Sequence, residues 1–186
     1  NLMGGALRIN ANLFQMDMTD AQRYVAVFVA GTPQSYTVNA ERAVSRGFEL
    51  SADWDMSERL RMNAGLGQLQ TEFLEFSALP SRVGNEFAMV PEVTLALGAR
   101  YEFANGIALS GQVRYVDGYF SEDGNSTTYE VEPLTLANLR LDYAMQNGMN
   151  LYAYISNVFD VRQPTYLQMN RVIGGLEGYM TRPREF

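Results

Sequence analysis

Along most of this chain, apolar and polar residues change places at every second position. In GFELSADW (47–54), Phe48, Leu50, Ala52 and Trp54 fall on one face and Glu49, Ser51 and Asp53 on the other. In 59–66, Leu60, Met62, Ala64 and Leu66 oppose Arg61, Asn63 and Gly65. In 93–103, Val93, Leu95, Leu97, Ala99, Tyr101 and Phe103 oppose Thr94, Gly98, Arg100 and Glu102. Segments 107–115 and 137–143 repeat the pattern, with Arg114 and Arg140 on their polar faces. A period of two predicts strands with one apolar face. Segments 6–17, 22–30 and 149–158 follow it less cleanly and are also expected to be strands.

These strands run to about ten residues, the length that crosses a bilayer at a tilt. Strands in water-soluble proteins are mostly about half as long. The connections alternate in length. DMTDAQ (17–22), DMSE (55–58), FANG (103–106) and MQNG (145–148) are short, and the last two carry Asn-Gly hairpin signals. Segments 30–40, 71–92, 119–133 and 160–181 are long. Tight turns at one end and long loops at the other predict an all-β, antiparallel transmembrane barrel wall, with periplasmic turns and extracellular loops. Arg61, Arg100, Arg114 and Arg140 then line a polar lumen; in a soluble sandwich the same face would simply meet solvent. Phe14, Trp54, Tyr101, Phe103 and Tyr143 gather beside the short turns, where an interfacial aromatic girdle belongs.

Composition narrows the chemistry. The 186 residues carry a net charge of −7, which disfavours nucleic acid as a partner. There is no cysteine and no histidine, and every basic residue is arginine. Disulfides, thiolate nucleophiles and the usual Ser-His pairing are excluded, so an enzyme is not expected. No cofactor or metal site is indicated. Glu122, Asp123, Glu130 and Glu132 could suggest calcium, but their spacing is not that of a calcium loop, and a solvated loop is the expectation. The longest apolar run, 24–30, is too short for a transmembrane helix, and no secretory signal is visible at the start.

Four short motifs carry a family resemblance. Asn157-Val158-Phe159-Asp160 resembles the Asn-Leu-Phe-Asp signature of TonB-dependent outer-membrane receptors, which closes the penultimate strand and opens the last extracellular loop. NAERAVSRGFEL (39–50) is similar to the family's Asn-Ala-x-x-Ala…Gly-[Val/Phe]-Glu-Leu segment. VPEVTLALGARYEF (90–103) resembles its Pro-led strand start, and RPREF (182–186) its Gly-x-Pro-Arg-x-Phe lead into the last strand, with Thr181 departing from the pattern. Asn157 and Asp160 are expected to bond local backbone where ladder pairing ends, with Val158 and Phe159 packed at the outer interface.

The resemblance implies a 22-stranded barrel filled by an N-terminal plug. About eight strands and the start of a ninth are legible here, so residues 1–186 are expected to be the C-terminal portion of the barrel, with the plug absent. It also implies a place in the bacterial outer membrane, against outer-membrane lipid. TonB would be engaged through the missing N-terminal part. The implied activity is uptake of a scarce small molecule, most often a ferric siderophore. Tyr119, Phe120, Tyr129, Arg162 and Tyr166 are the candidate ligand contacts: arginine can pair with an anionic chelate and aromatic rings can stack on aryl groups. A complete small barrel acting as a pore, or a soluble β-barrel or sandwich binding protein, are the alternatives. An open sheet exposes two bare edges, which lipid does not tolerate. The isolated chain is therefore predicted not to fold in detergent; a heat-resistant monomer on a gel would contradict this.

Overall fold

The computed structural model describes residues 6–29, 32–170 and 174–186. Its strands are β1 (Leu7–Val29), β2 (Thr32–Asp55), β3 (Leu60–Glu75), β4 (Val93–Glu102), β5 (Ile107–Val116), β6 (Tyr119–Phe120), β7 (Glu130–Val131), β8 (Leu134–Ala144), β9 (Asn150–Ile155), β10 (Pro164–Asn170) and β11 (Gly175–Met180). Seven of them form one antiparallel sheet in the order β1-β2-β3-β4-β5-β8-β9. β6 with β7, and β10 with β11, form separate ribbons inside the long loops. The helical pieces among the described residues are short 3₁₀ turns at Pro80–Arg82 and Thr127–Tyr129.

Register decides what each face carries. Cross-strand pairing aligns Leu7, Trp54, Met62, Ala99, Gly111, Leu139 and Ile155 in one row across all seven strands. One residue along each strand, the row reads Asp55, Arg61, Arg100, Ser110, Arg140, Tyr154. A slip of one residue in any pair would carry charge onto the apolar face. That face is left bare: Leu97, Leu109, Leu139, Leu141 and Leu151 are all more than 40 % exposed. So large a contiguous apolar surface needs a non-aqueous neighbour.

The short turns close one end of the sheet. At Asn105-Gly106 and Asn147-Gly148 the glycine takes φ +81° and +85°, which a side chain would resist. In each, the asparagine Oδ1 accepts the N–H two residues on, from Ile107 and Met149. Trp54, Tyr101 and Tyr143 lie on the apolar face beside these turns, and the Tyr101 ring meets Phe103 edge-on, with centroids 4.7 Å apart.

Residues 17–22 are a correction. The expected short turn there does not form; the two strands expected on either side of it merge into one, β1 (Leu7–Val29), which pairs with β2 at unchanged register from Leu7↔Trp54 to Val29↔Thr32. The expected long loop at 30–40 is strand from Thr32 onward, and residues 30 and 31 lie outside the described residues. The polar MTDAQ sequence marks a local twist within the strand: Asp20 takes φ 53°. Above it the two-residue period inverts. Met18 and Ala21 both meet the buried cluster, as do Ala40 and Ala43, so both strands change which face they turn inward. Phe14 is corrected too. It is no girdle residue but pairs with Gly47 in mid-strand, on the face that carries Arg8 and Asn10.

Buried side chains are concentrated at the long-loop end. Ala40, Ala43, Phe73 and Phe76 form a closed cluster, with Met18, Val38, Leu79 and Phe87 packed against it. β3 reaches it through a bulge that leaves Leu74 without a partner on β2.

Gly47, in the GFEL motif, sits where a Cβ would meet the Gln68 carbonyl oxygen. Gly47→Ala is predicted to cost on the order of 1–3 kcal/mol through backbone displacement. Gly65→Ala, whose Cβ would meet nothing within 4 Å, should be silent. The unfolding midpoint of the two variants in the full-length protein checks this.

Candidate functional site

Among the concavities that carry polar side chains, two are candidates for a site. The first is a groove of about 600 Å³ on the polar face at the short-turn end, lined among others by Asp53, Asp55, Arg61, Arg100, Arg140 and Tyr154. Its charges largely satisfy one another. The Arg100 guanidinium bonds Glu102, Ser110 Oγ and Asp142 at 3.1–3.2 Å. Arg140 holds Asp142 through two bonds of 2.8 and 2.9 Å and lies 4.4 Å over the Tyr152 ring. Arg61 reaches Asp55 at 3.5 Å. Arg114 shares this face higher up, in the row with Ser51, Gly65 and Ala96.

The second is a cleft of about 660 Å³ among the long loops. Tyr24, Arg23, Met89, Tyr129, Tyr166 and Gln168 are among the residues that line it. Its base is fixed by Asp123, a carboxylate buried between two loops. Asp123 Oδ1 accepts from the Arg23 Nη2 and from the Ala88 backbone N–H, each at 2.9 Å. Arg82 approaches the same carboxylate at 3.7 Å and Glu122 at 3.9 Å. The Arg23 guanidinium also lies 4.9 and 4.7 Å from the ring centres of Phe73 and Phe87. Cation–π contact on both rings holds a group whose buried Nε has no hydrogen-bond partner. Asn85 donates to the Asp123 carbonyl, and Asn125 exchanges bonds with the Glu86 backbone. Loop 71–92, loop 117–133 and β1 are thereby joined at one point.

The β10–β11 ribbon closes the other side. The buried Ser121 Oγ accepts the Leu167 N–H at 2.9 Å, and the Tyr119 hydroxyl donates to the Thr165 carbonyl at 2.6 Å. Burial pushes the Tyr119 phenol pKa upward, so it stays a donor at neutral pH. Tyr166 and Tyr179 stack across the ribbon with centroids 5.8 Å apart.

Of the five aromatic and charged residues singled out in the sequence, Tyr129 and Tyr166 line this cleft. Tyr119 lies behind it, holding β10 in place. Phe120 is outside the lining and contributes a carbonyl to the Met89 N–H. Arg162 is outside it too, tied to Asp160 at 2.9 Å. Arg23 and Arg82 escaped sequence reasoning, and Asp123, expected on a solvated loop, is instead buried against Arg23. The one available signal was an arginine set just before the apolar run 24–30.

Asn157-Val158-Phe159-Asp160 ends β9. Asn157 is buried, takes φ 50°, and its side chain bonds the Val161 N–H and the Val161 and Arg182 carbonyls. Asp160 accepts from Arg162 and from the Arg184 N–H, which together hold its pKa below the ordinary carboxylate range. Glu41 is lowered likewise, chiefly by the Ser77 N–H. Both contacts favour the folded loops at neutral pH, and that contribution fades as pH falls through and below the carboxylate range. Phe159 is 67 % exposed. Ser156 then forms an isolated antiparallel bridge with Glu185.

The sequence profile of the family described as TonB dependent receptor-like, beta-barrel matches residues 1–158. The chain belongs to the TonB-dependent receptors. It is 28 % identical over 132 residues to the ferrioxamine receptor of Yersinia enterocolitica, covering 69 % of this chain and 18 % of that protein. Its fold is similar to the ferric yersiniabactin uptake receptor FyuA from Yersinia pestis (TM-score 0.79, 19 % identity, 97 % of this chain, 26 % of that one). It is also similar to the siderophore receptor PiuA from Acinetobacter baumannii (TM-score 0.78, 16 % identity, 98 % and 25 %). The chain thus spans about a quarter or less of these relatives' length. Members are outer-membrane transport receptors, not enzymes, so the apolar face of this sheet meets lipid and the long loops are extracellular.

Asp123→Asn keeps the shape of the junction and removes the charge that both arginines use. Leaving Arg23 partly buried without a counter-ion should loosen the loops by on the order of 3 kcal/mol. In hydrogen exchange, amides in 71–92 should lose protection while those of β4 and β5 do not change.

Proposed function

We propose that this chain is the C-terminal portion of the barrel of a receptor that takes up ferric siderophores across the outer membrane, energised by TonB. The observation that carries the reading is the tyrosine-lined cleft of about 660 Å³ at the extracellular end of a receptor-family wall. Similarity to a ferrioxamine receptor supports iron chelates as the ligand class. Tyr129, Tyr166 and Tyr24 supply flat apolar surface and hydroxyls, suited to the organic shell of a chelate. Tyr119 positions β10 rather than touching ligand. The face carrying Arg61, Arg100, Arg114 and Arg140 is the lumen wall, against which the plug of the complete receptor would rest. TonB is reached through that plug-bearing N-terminal part.

Uptake of radioactive iron by cells whose only chelate receptor is the full-length protein tests this. Iron chelate should enter only when TonB is present. Tyr166→Ala should weaken chelate binding about tenfold, the loss of one aromatic contact. Entry that persists without TonB would instead mark a passive pore.

A further inference from the structure

Charge is divided sharply between the two ends of the molecule. Residues 17–46, 71–92, 117–133 and 156–186, the distal arm and the extracellular loops, hold fifteen Asp and Glu against eight Arg. The rest of the chain, wall and periplasmic turns, holds six of each. The whole net charge of −7 therefore lies on the extracellular side. It is densest on two of these loops: 71–92 and 117–133 carry nine acids and one arginine, Arg82.

The arginines of the cleft are not available to a ligand. Arg23 and Arg82, which line it, are spent on Asp123 and Glu122. Arg42 is paired with Glu75 and Arg162 with Asp160. Glu130 and Glu132, by contrast, are exposed beside the cleft residue Tyr129 and make no ion pair among the described residues. Glu177 accepts from Gln168, another lining residue, and from Asn170. An anionic chelate approaching this cleft meets exposed carboxylates, and among the described residues both lining arginines are already paired; a cationic one is drawn in.

We infer that the receptor takes iron chelates of neutral or positive charge and discriminates against anionic ones. This rests on the chelate-uptake reading above and sharpens it. It also reverses the expectation that arginine would pair with an anionic chelate.

The test uses three ferric trihydroxamates that differ only at the tail: a free ammonium, its neutral N-acetyl form and its anionic N-succinyl form. Ferric tricatecholate and ferric citrate complete the set. Binding to the purified full-length receptor is measured by calorimetry at about 0.02 M and about 0.5 M salt, where screening lengths differ several-fold. The ammonium form should bind at least about tenfold tighter than the succinyl form at low salt, with the gap narrowing at high salt. Joint substitution of Glu130→Lys and Glu132→Lys should narrow the gap while neutral chelate still binds. Equal or tighter binding of the anionic forms overturns the inference and leaves chelate uptake standing. Failure to bind any chelate overturns both.

Discussion

A peptide group inside hydrocarbon has no water to bond, so each must be paired with a neighbouring strand. That requirement governs this structure. It forces long, uninterrupted ladders, and ladders at fixed register force every second side chain to one face. The row from Leu7 to Ile155 and the adjacent row through Arg61, Arg100 and Arg140 follow from the same pairing. The wall is thus specified by backbone satisfaction and patterning, with little need of a packed core. Its large buried side chains lie mostly elsewhere, among the loops.

Outside the bilayer the constraint changes. Water is available, so the ladders need not continue, and each loop must be held by its own contacts. β1 and β2 continue nevertheless, and Asp20 shows what the change permits. A left-handed residue inverts the inward face, bringing Ala21 and Ala40 onto the Phe73 cluster. In mid-membrane the same inversion would turn polar residues to lipid. Asp123 then does between loops what ladder bonds do in the wall: one carboxylate takes up donors from β1 and from loop 71–92. Its burial separates this junction from the exposed pairs such as Arg42–Glu75, which water screens to little effect.

The legibility of the sequence follows this division. Alternation reports faces wherever lipid enforces it, so the strands of 47–54, 59–66, 93–103, 107–115 and 137–143 could be read residue by residue. It failed at 17–22, where the chain has left the membrane and polar, turn-forming residues no longer exclude a strand. Tyr129 and Tyr166 were legible as loop aromatics. The pairing of Arg23 with Asp123 was not, because the two stand 100 residues apart with no local pattern linking them. Arg162 lies outside the cleft, its guanidinium held by a carboxylate two residues away, a proximity that composition does not weigh.

The split between a neutral wall and an acidic loop layer belongs to the same physics. In the wall, charge is confined to one face, where Arg140 and, from two strands away, Arg100 share the carboxylate of Asp142. An unbalanced charge there would have to be matched by whatever fills the barrel. In the loops, water and salt screen any excess, so net charge can be set by what the receptor must attract. Neutrality is thus a condition of building the wall. The sign of the loops is free to follow the ligand, and for that reason it carries information about the ligand that the wall cannot.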